Sequence, residues 1–189
     1  LAPRYVGRWE KGVDFIGDLE AFRRSFAEHA RLSEALGPYK LSLHSGSDKF
    51  SVYPIAAELA RGRVHLKTAG TSYLEGLRVA AQAAPDLFRR IWRLATSVYA
   101  RDRATYHVSG RLDQAPDPET LADAKLPALL DDHHVRQILH VTFGSVIADP
   151  TLAGELAETL GREAASYAGA LERHFARHLA PFARFGAAG

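Results

Sequence analysis

Cysteine and methionine are both absent from the 189 residues. Without cysteine there is no disulfide and no thiolate metal site, so His, Asp and Glu remain as the strong ligands and any metal is expected to be catalytic rather than a structural zinc knot. No apolar run reaches the roughly 18 residues of a membrane span. The N-terminus also lacks the basic start, apolar stretch and small-residue cleavage site of a signal peptide. A cytoplasmic protein without a membrane partner is expected. Charge is nearly balanced, with 24 Lys and Arg against 22 Asp and Glu and a formal net charge of +2. Despite a pI of about 9.0, no dense basic run interleaved with aromatics appears, which argues against a nucleic-acid partner. Neither a Gly-x-Gly-x-x-Gly sequence nor a Gly-Lys-Ser/Thr phosphate loop is present, so nucleotide binding has no support. The chain opens Leu1-Ala2-Pro3-Arg4-Tyr5, without an initiator methionine, and reads as a fragment of a longer polypeptide.

What is there is ordinary globular material, 47% hydrophobic and 24% charged. Leu19, Phe22, Phe26, Ala30 and Leu36 recur mostly at three- and four-residue steps, opposite Arg24, Glu28 and Arg31. This predicts an amphipathic helix from Asp18 to about Leu36, capped by Asp18. Tyr39 to His44 alternates like a strand and is followed by the small, polar Ser45-Gly46-Ser47-Asp48. A helix is expected over about Lys49 to Ala60, with Pro54 either kinking it or marking a late start. The pattern repeats: Arg63 to Lys67 reads as a strand, Thr68 to Thr71 as a loop, and a helix follows from Ser72. Two strand, loop and helix units in succession point to parallel pairing, with both loops on the face where α/β folds bind ligands. The fold expected is α/β, the C-terminal part of a (β/α)8 TIM-like barrel over residues 1–84, followed by a helix-rich region over 85–189. Long helices are expected over Pro85 to Tyr106, His133 to Ile147 and Leu152 to Leu179, with Thr105 to Val108 as a candidate short strand.

The residues with chemistry cluster in the two loops. His44, Ser45, Ser47, Asp48 and Lys49 offer a metal ligand, hydroxyls, a carboxylate and an amine within six positions. The plainer reading makes Ser47 or Asp48 a helix cap and His44 a core residue. His65 and Lys67 share one face of a period-two strand, and an inward Lys67 near a strand end is costly unless it meets an anion. Its alternative is an ion pair with a neighbouring acid. Thr68 and Thr71 either bind substrate or cap the next helix. Asp131-Asp132-His133-His134 resembles a metal cluster but is also a good helix start, and capping is the favoured reading. His174 and His178 stand four apart, a spacing that can bind metal. Arg173 and Arg177 beside them favour a solvated basic face.

Lys40 to Phe50 (KLSLHSGSDKF), His65 to Glu75 (HLKTAGTSYLE), Leu139 to Val146 (LHVTFGSV) and His174 to Phe182 (HFARHLAPF) together resemble the C-terminal portion of the tagaturonate epimerase family. The resemblance implies a barrel-type isomerase of bacterial hexuronate catabolism that interconverts tagaturonate and fructuronate with a divalent metal. It also implies further ligands in a missing N-terminal portion and little activity for the fragment alone. The implied partner is a small sugar acid, and homo-oligomerisation stays open. On chemical grounds His44 is assigned to the metal, Asp48, Lys49 and Lys67 to catalysis, and Ser45, Ser47, Thr68 and Thr71 to substrate binding. The rival readings are another metal-dependent sugar aldolase or isomerase, or a non-catalytic sugar-binding or oligomerisation module.

Overall fold

The computed structural model describes every residue except 38, 45–47 and 186–189. The chain forms two compact units, Leu1–Thr68 with Phe175–Gly189, and Ala69–His174.

In the first unit, helix α1 (Leu19–Ala35) begins where the Asp18 carboxylate accepts the N–H groups of Glu20 and Ala21 at 2.7 and 3.0 Å. Those donors have no partner inside the helix, so the cap sets its first residue. Phe22 and Phe26, one turn apart, are fully buried against Tyr5, Phe15, Leu41, Leu43 and Tyr53. Each such aromatic contributes about 1.5–3 kcal/mol by leaving water. Strand β1 (Leu41–Leu43), helix α2 (Tyr53–Leu59) and strand β2 (Val64–Leu66) follow. The strands pair in parallel, with Leu41 opposite Val64, Ser42 opposite His65 and Leu43 opposite Leu66. Pro54 marks a late start: it stands in the first turn of α2, where its missing N–H costs no intrahelical bond.

The second unit is helical: α3 (Ala69–Ala83), α4 (Pro85–Asp102), α5 (His133–Val141), α6 (Phe143–Ala148), α7 (Pro150–Arg162) and most of α8 (Ala164–Leu179), which continues into the first unit. Leu74, Leu77, Phe88, Ile91, Leu126 and Ile138 fill its largely aliphatic core. The stretch expected as one helix over His133 to Ile147 breaks at Thr142, whose hydroxyl donates back to the Ile138 carbonyl at 2.8 Å. A second break separates α7 from α8 at Glu163. The candidate strand from Thr105 to Val108 does not form: Thr105 ends a 3-10 turn over Arg103–Thr105, and residues 106–108 are irregular. Among the described residues no helix is long and apolar enough to cross a membrane.

The barrel expectation is overturned. Among the described residues only two three-residue strands form the sheet, and every element after β2 is a helix or a 3-10 turn. The domain is a helical one, not the C-terminal part of a (β/α)8 TIM-like barrel. Barrel strands are buried on both faces and read as near-continuous apolar runs. β2 instead places His65 in solvent between two half-buried residues. The local inference of parallel pairing is correct, because β1, α2 and β2 make one crossover unit.

Candidate metal centre

Asp48 lies beyond β1 with a φ of 65°, in the left-handed region that most residues avoid and that Asp tolerates better than β-branched residues. Its side chain is buried and its Oδ1 lies 3.1 Å from Nε2 of His178. The Asp48 N–H also donates to that Nε2, at 3.3 Å. His178 is carried by α8, and His174 stands one helical turn earlier on the same continuous helix. The two histidines are 1% and 4% exposed, and Asp48 is 6% exposed. One donor atom from each of Asp48, His174 and His178 lies within 4.8 Å of the others.

The donor set suits a divalent cation. A deprotonated imidazole nitrogen and a carboxylate oxygen are both acceptors, and at 3.1 Å they repel unless a proton or a cation lies between them. Two imidazoles and one carboxylate are the ligands that first-row divalent metals take when coordination positions stay open for substrate. These are the residues that would hold the metal. Around them the structure is apolar and aromatic. Phe50 meets His178 edge-on at 4.8 Å and carries the Arg177 guanidinium over its face at 4.0 Å. The Tyr53 ring lies 5.5 Å from His178, and burial raises its phenol pKa above the ordinary range. Within the second unit, Thr71 is fully buried and its hydroxyl meets Nε2 of His174 at 3.1 Å. A hydroxyl in that place orients the imidazole, as partners of metal-binding histidines commonly do.

The expectation that His174 and His178 belong to a solvated basic face is corrected here. Arg173 and Arg177 are exposed while both histidines are buried, since neighbours on a helix point about 100° apart. The four-residue spacing carried the signal and the adjacent arginines obscured it. Asp132 accepts from the N–H groups of His134 and Val135 at 2.8 and 2.9 Å, the capping role favoured from the sequence. Asp131 instead pairs with Arg78 at 2.8 Å. His140 packs against Gly70, where any Cβ would come within 2.3 Å of its ring, so only glycine admits that approach.

Of the residues singled out in the sequence, Asp48 joins the histidine pair and Thr71 meets His174. Lys49 is 0% exposed and its ammonium donates to the carbonyls of Glu10, at 2.8 Å, and Val13. His44 is half-buried, donates Nε2–H to the Pro3 carbonyl at 3.0 Å, and lies 5.6 Å from the Trp9 ring. Lys67 is exposed and Thr68 half-buried, both just beyond β2. Ser45 and Ser47 lie outside the described residues.

Comparison with known proteins completes the picture. The family model of the UxaE tagaturonate epimerases matches residues 1–182. The tagaturonate/fructuronate epimerase of Thermotoga maritima is 45% identical over 179 residues, covering 95% of this chain and 37% of that protein. Crystal structures of fructuronate-tagaturonate epimerase from Cohnella laeviribosi, native and with one glycerol, are 37% identical. Each superposes with a TM-score of 0.91 over 96% of this chain and 38% of theirs. The chain thus spans little more than a third of the length of these relatives. By sequence over nearly its whole length, and by fold, it belongs to the tagaturonate epimerase family.

Proposed function

We propose that the full-length protein carrying this chain interconverts tagaturonate and fructuronate, with Asp48, His174 and His178 holding a divalent metal ion. The observation that carries the reading is the buried group of two imidazoles and a carboxylate in a member of this family.

The two sugar acids differ at a carbon β to the ketone, which simple enolisation cannot invert. Retro-aldol chemistry can. Asp48 takes the proton of the β-hydroxyl. The bond between the α and β carbons breaks, its electron pair enters an enediolate on the ketone half, and the β carbon becomes an aldehyde. Rotation of the aldehyde presents its other face, the bond re-forms, and Asp48 returns the proton to the new alkoxide. The metal, when bound, supplies Lewis-acid stabilisation of negative oxygen. Thr71 keeps the His174 imidazole in one orientation, the aromatic surround of His178 keeps water away, and Lys67 holds the substrate carboxylate.

The test is turnover of tagaturonate by the full-length protein, followed by NMR before and after metal removal, in wild type, Asp48→Asn and His178→Ala. Fructuronate should form only with metal present, without release of two fragments. Both variants should lose metal affinity by more than the roughly 10–100-fold that loss of an outer partner costs. Turnover that survives complete metal removal, or variants as active as wild type, would overturn the reading. Release of two fragments would make the enzyme an aldolase.

A further inference from the structure

Arg177 is held in place without a hydrogen bond. Among the described residues no carboxylate or carbonyl pairs with it, whereas Arg78, Arg89 and Arg90 each meet an acid. Its guanidinium lies over the Phe50 ring, 4.0 Å from the centroid, although the residue is exposed. A guanidinium stacked by its face keeps the N–H donors of its edge available, and the ring beneath fixes the plane in which they point. A cation oriented in that way suits a planar anion. A carboxylate accepts two parallel N–H···O bonds from such an edge.

The platform beneath Arg177 also belongs to the metal centre. Phe50 stands in the same short segment as Asp48, and its ring meets the His178 ring edge-on at 4.8 Å. Arg177 and His178 are consecutive on α8 and point in different directions around it, one outward and one into the core. Phe50 touches both, so the width of one aromatic ring separates the guanidinium from the imidazole. A six-carbon acid with a hydroxyl beside Asp48 can extend its far end across that ring to Arg177. A lysine brings a point charge on a flexible stem and fixes no such direction.

We propose that Arg177, stacked on Phe50, is a specificity-determining residue that binds the carboxylate of the sugar acid through the edge of its guanidinium. This rests on the epimerase reading and deepens it. Lys67 contributes charge, whereas Arg177 fixes the direction in which the charged end lies and thereby which carbons face Asp48.

The experiment measures binding of galactonate and galactitol, a matched carboxylate and alcohol, to the full-length metal-loaded protein by calorimetry at fixed ionic strength. The proteins compared are wild type, Arg177→Met, Arg177→Lys and Arg173→Met, each checked for folding and metal content. A charge-assisted contact to a carboxylate is worth about tenfold in affinity. Arg177→Met should therefore cut the preference for galactonate over galactitol by about that factor with metal content unchanged. Arg177→Lys returns the charge without the planar edge and should recover only a minor part of the loss. Arg173, also exposed on α8, controls for charge alone, and its replacement should leave the preference nearly unchanged. No preference in wild type, an unchanged preference in Arg177→Met, equal weakening of both ligands, full recovery in Arg177→Lys or an equal loss in Arg173→Met would overturn the assignment. Because the readout is binding, it separates the two readings: absence of tagaturonate turnover in wild type removes the epimerase assignment, while the galactonate preference still decides the role of Arg177.

Discussion

The two units bury different chemistry. The first closes an aromatic core of Tyr5, Phe15, Phe22, Phe26 and Tyr53 and places ionisable groups inside it: Glu10, Asp48, Lys49 and His178. The second closes a mainly aliphatic core, and its buried polar residues short of the helix they share are neutral: Thr71, Gln137, Thr142 and Thr159. Its charges pair at or near the surface instead, as in Arg78 with Asp131, Arg89 with Asp123 and Arg90 with Glu155. Surface pairs contribute little, whereas buried charges cost several kcal/mol unless something compensates them. In the first unit such compensation is visible, as where the Lys49 ammonium donates to the Glu10 and Val13 carbonyls and Asp48 lies against His178. The difference is one of burial chemistry: ionisable side chains are buried in the first unit and on α8, while the core of the second unit is closed by neutral ones.

The sharpest way to break that comparison is to damage each core in turn. Phe26→Ala and Phe88→Ala should each cost about 3–5 kcal/mol in chemical denaturation, as large cavities in buried cores do. At temperatures where both proteins stay folded, Phe26→Ala should also lose bound metal, because the aromatic core supports Asp48, while Phe88→Ala retains it. Equal metal loss in both would dissolve the distinction between the units.

A smaller effect separates capping from ligation. Asp132→Ala removes the cap of α5 and should lower stability by about 1 kcal/mol with metal stoichiometry unchanged. Loss of metal in that variant would restore the Asp131 to His134 cluster as a ligand set.

The smallest effect belongs to a surface pair. Hydrogen bonding to Arg90 holds the Glu155 carboxyl below its ordinary pKa. A depressed folded-state pKa contributes stability above the unfolded value and loses it as pH falls through the folded one. Glu155→Gln should therefore be slightly less stable than wild type at neutral pH, with the gap closing below the ordinary carboxylate range. A gap that stays open in strong acid would point to packing rather than charge.

Much of the local structure was legible in the chain. Asp18 and Asp132 cap the helices that their positions announce, Pro54 opens α2, and the alternation around residues 41–43 and 64–66 yields two parallel strands. That the domain is helical rather than part of a barrel was not legible, because strand periodicity over five or six residues says nothing about how many strands join or whether both faces are covered. Asp48 was singled out through its loop, for proton transfer rather than for a metal. The burial of His178 was not legible, because Arg177 beside it suggests solvent.

The sequence by itself determined the family, through four ordered motifs, together with the caps, the breaks and the exclusion of thiolate chemistry, since these depend on residues close in the chain or on composition. Only the tertiary structure decided that Asp48 meets a histidine 130 positions away and that Lys49 is buried against two backbone carbonyls rather than a surface cation. Those outcomes depend on which side of a helix is buried and on which distant carbonyls repay a buried charge, and both are set by packing across the whole unit.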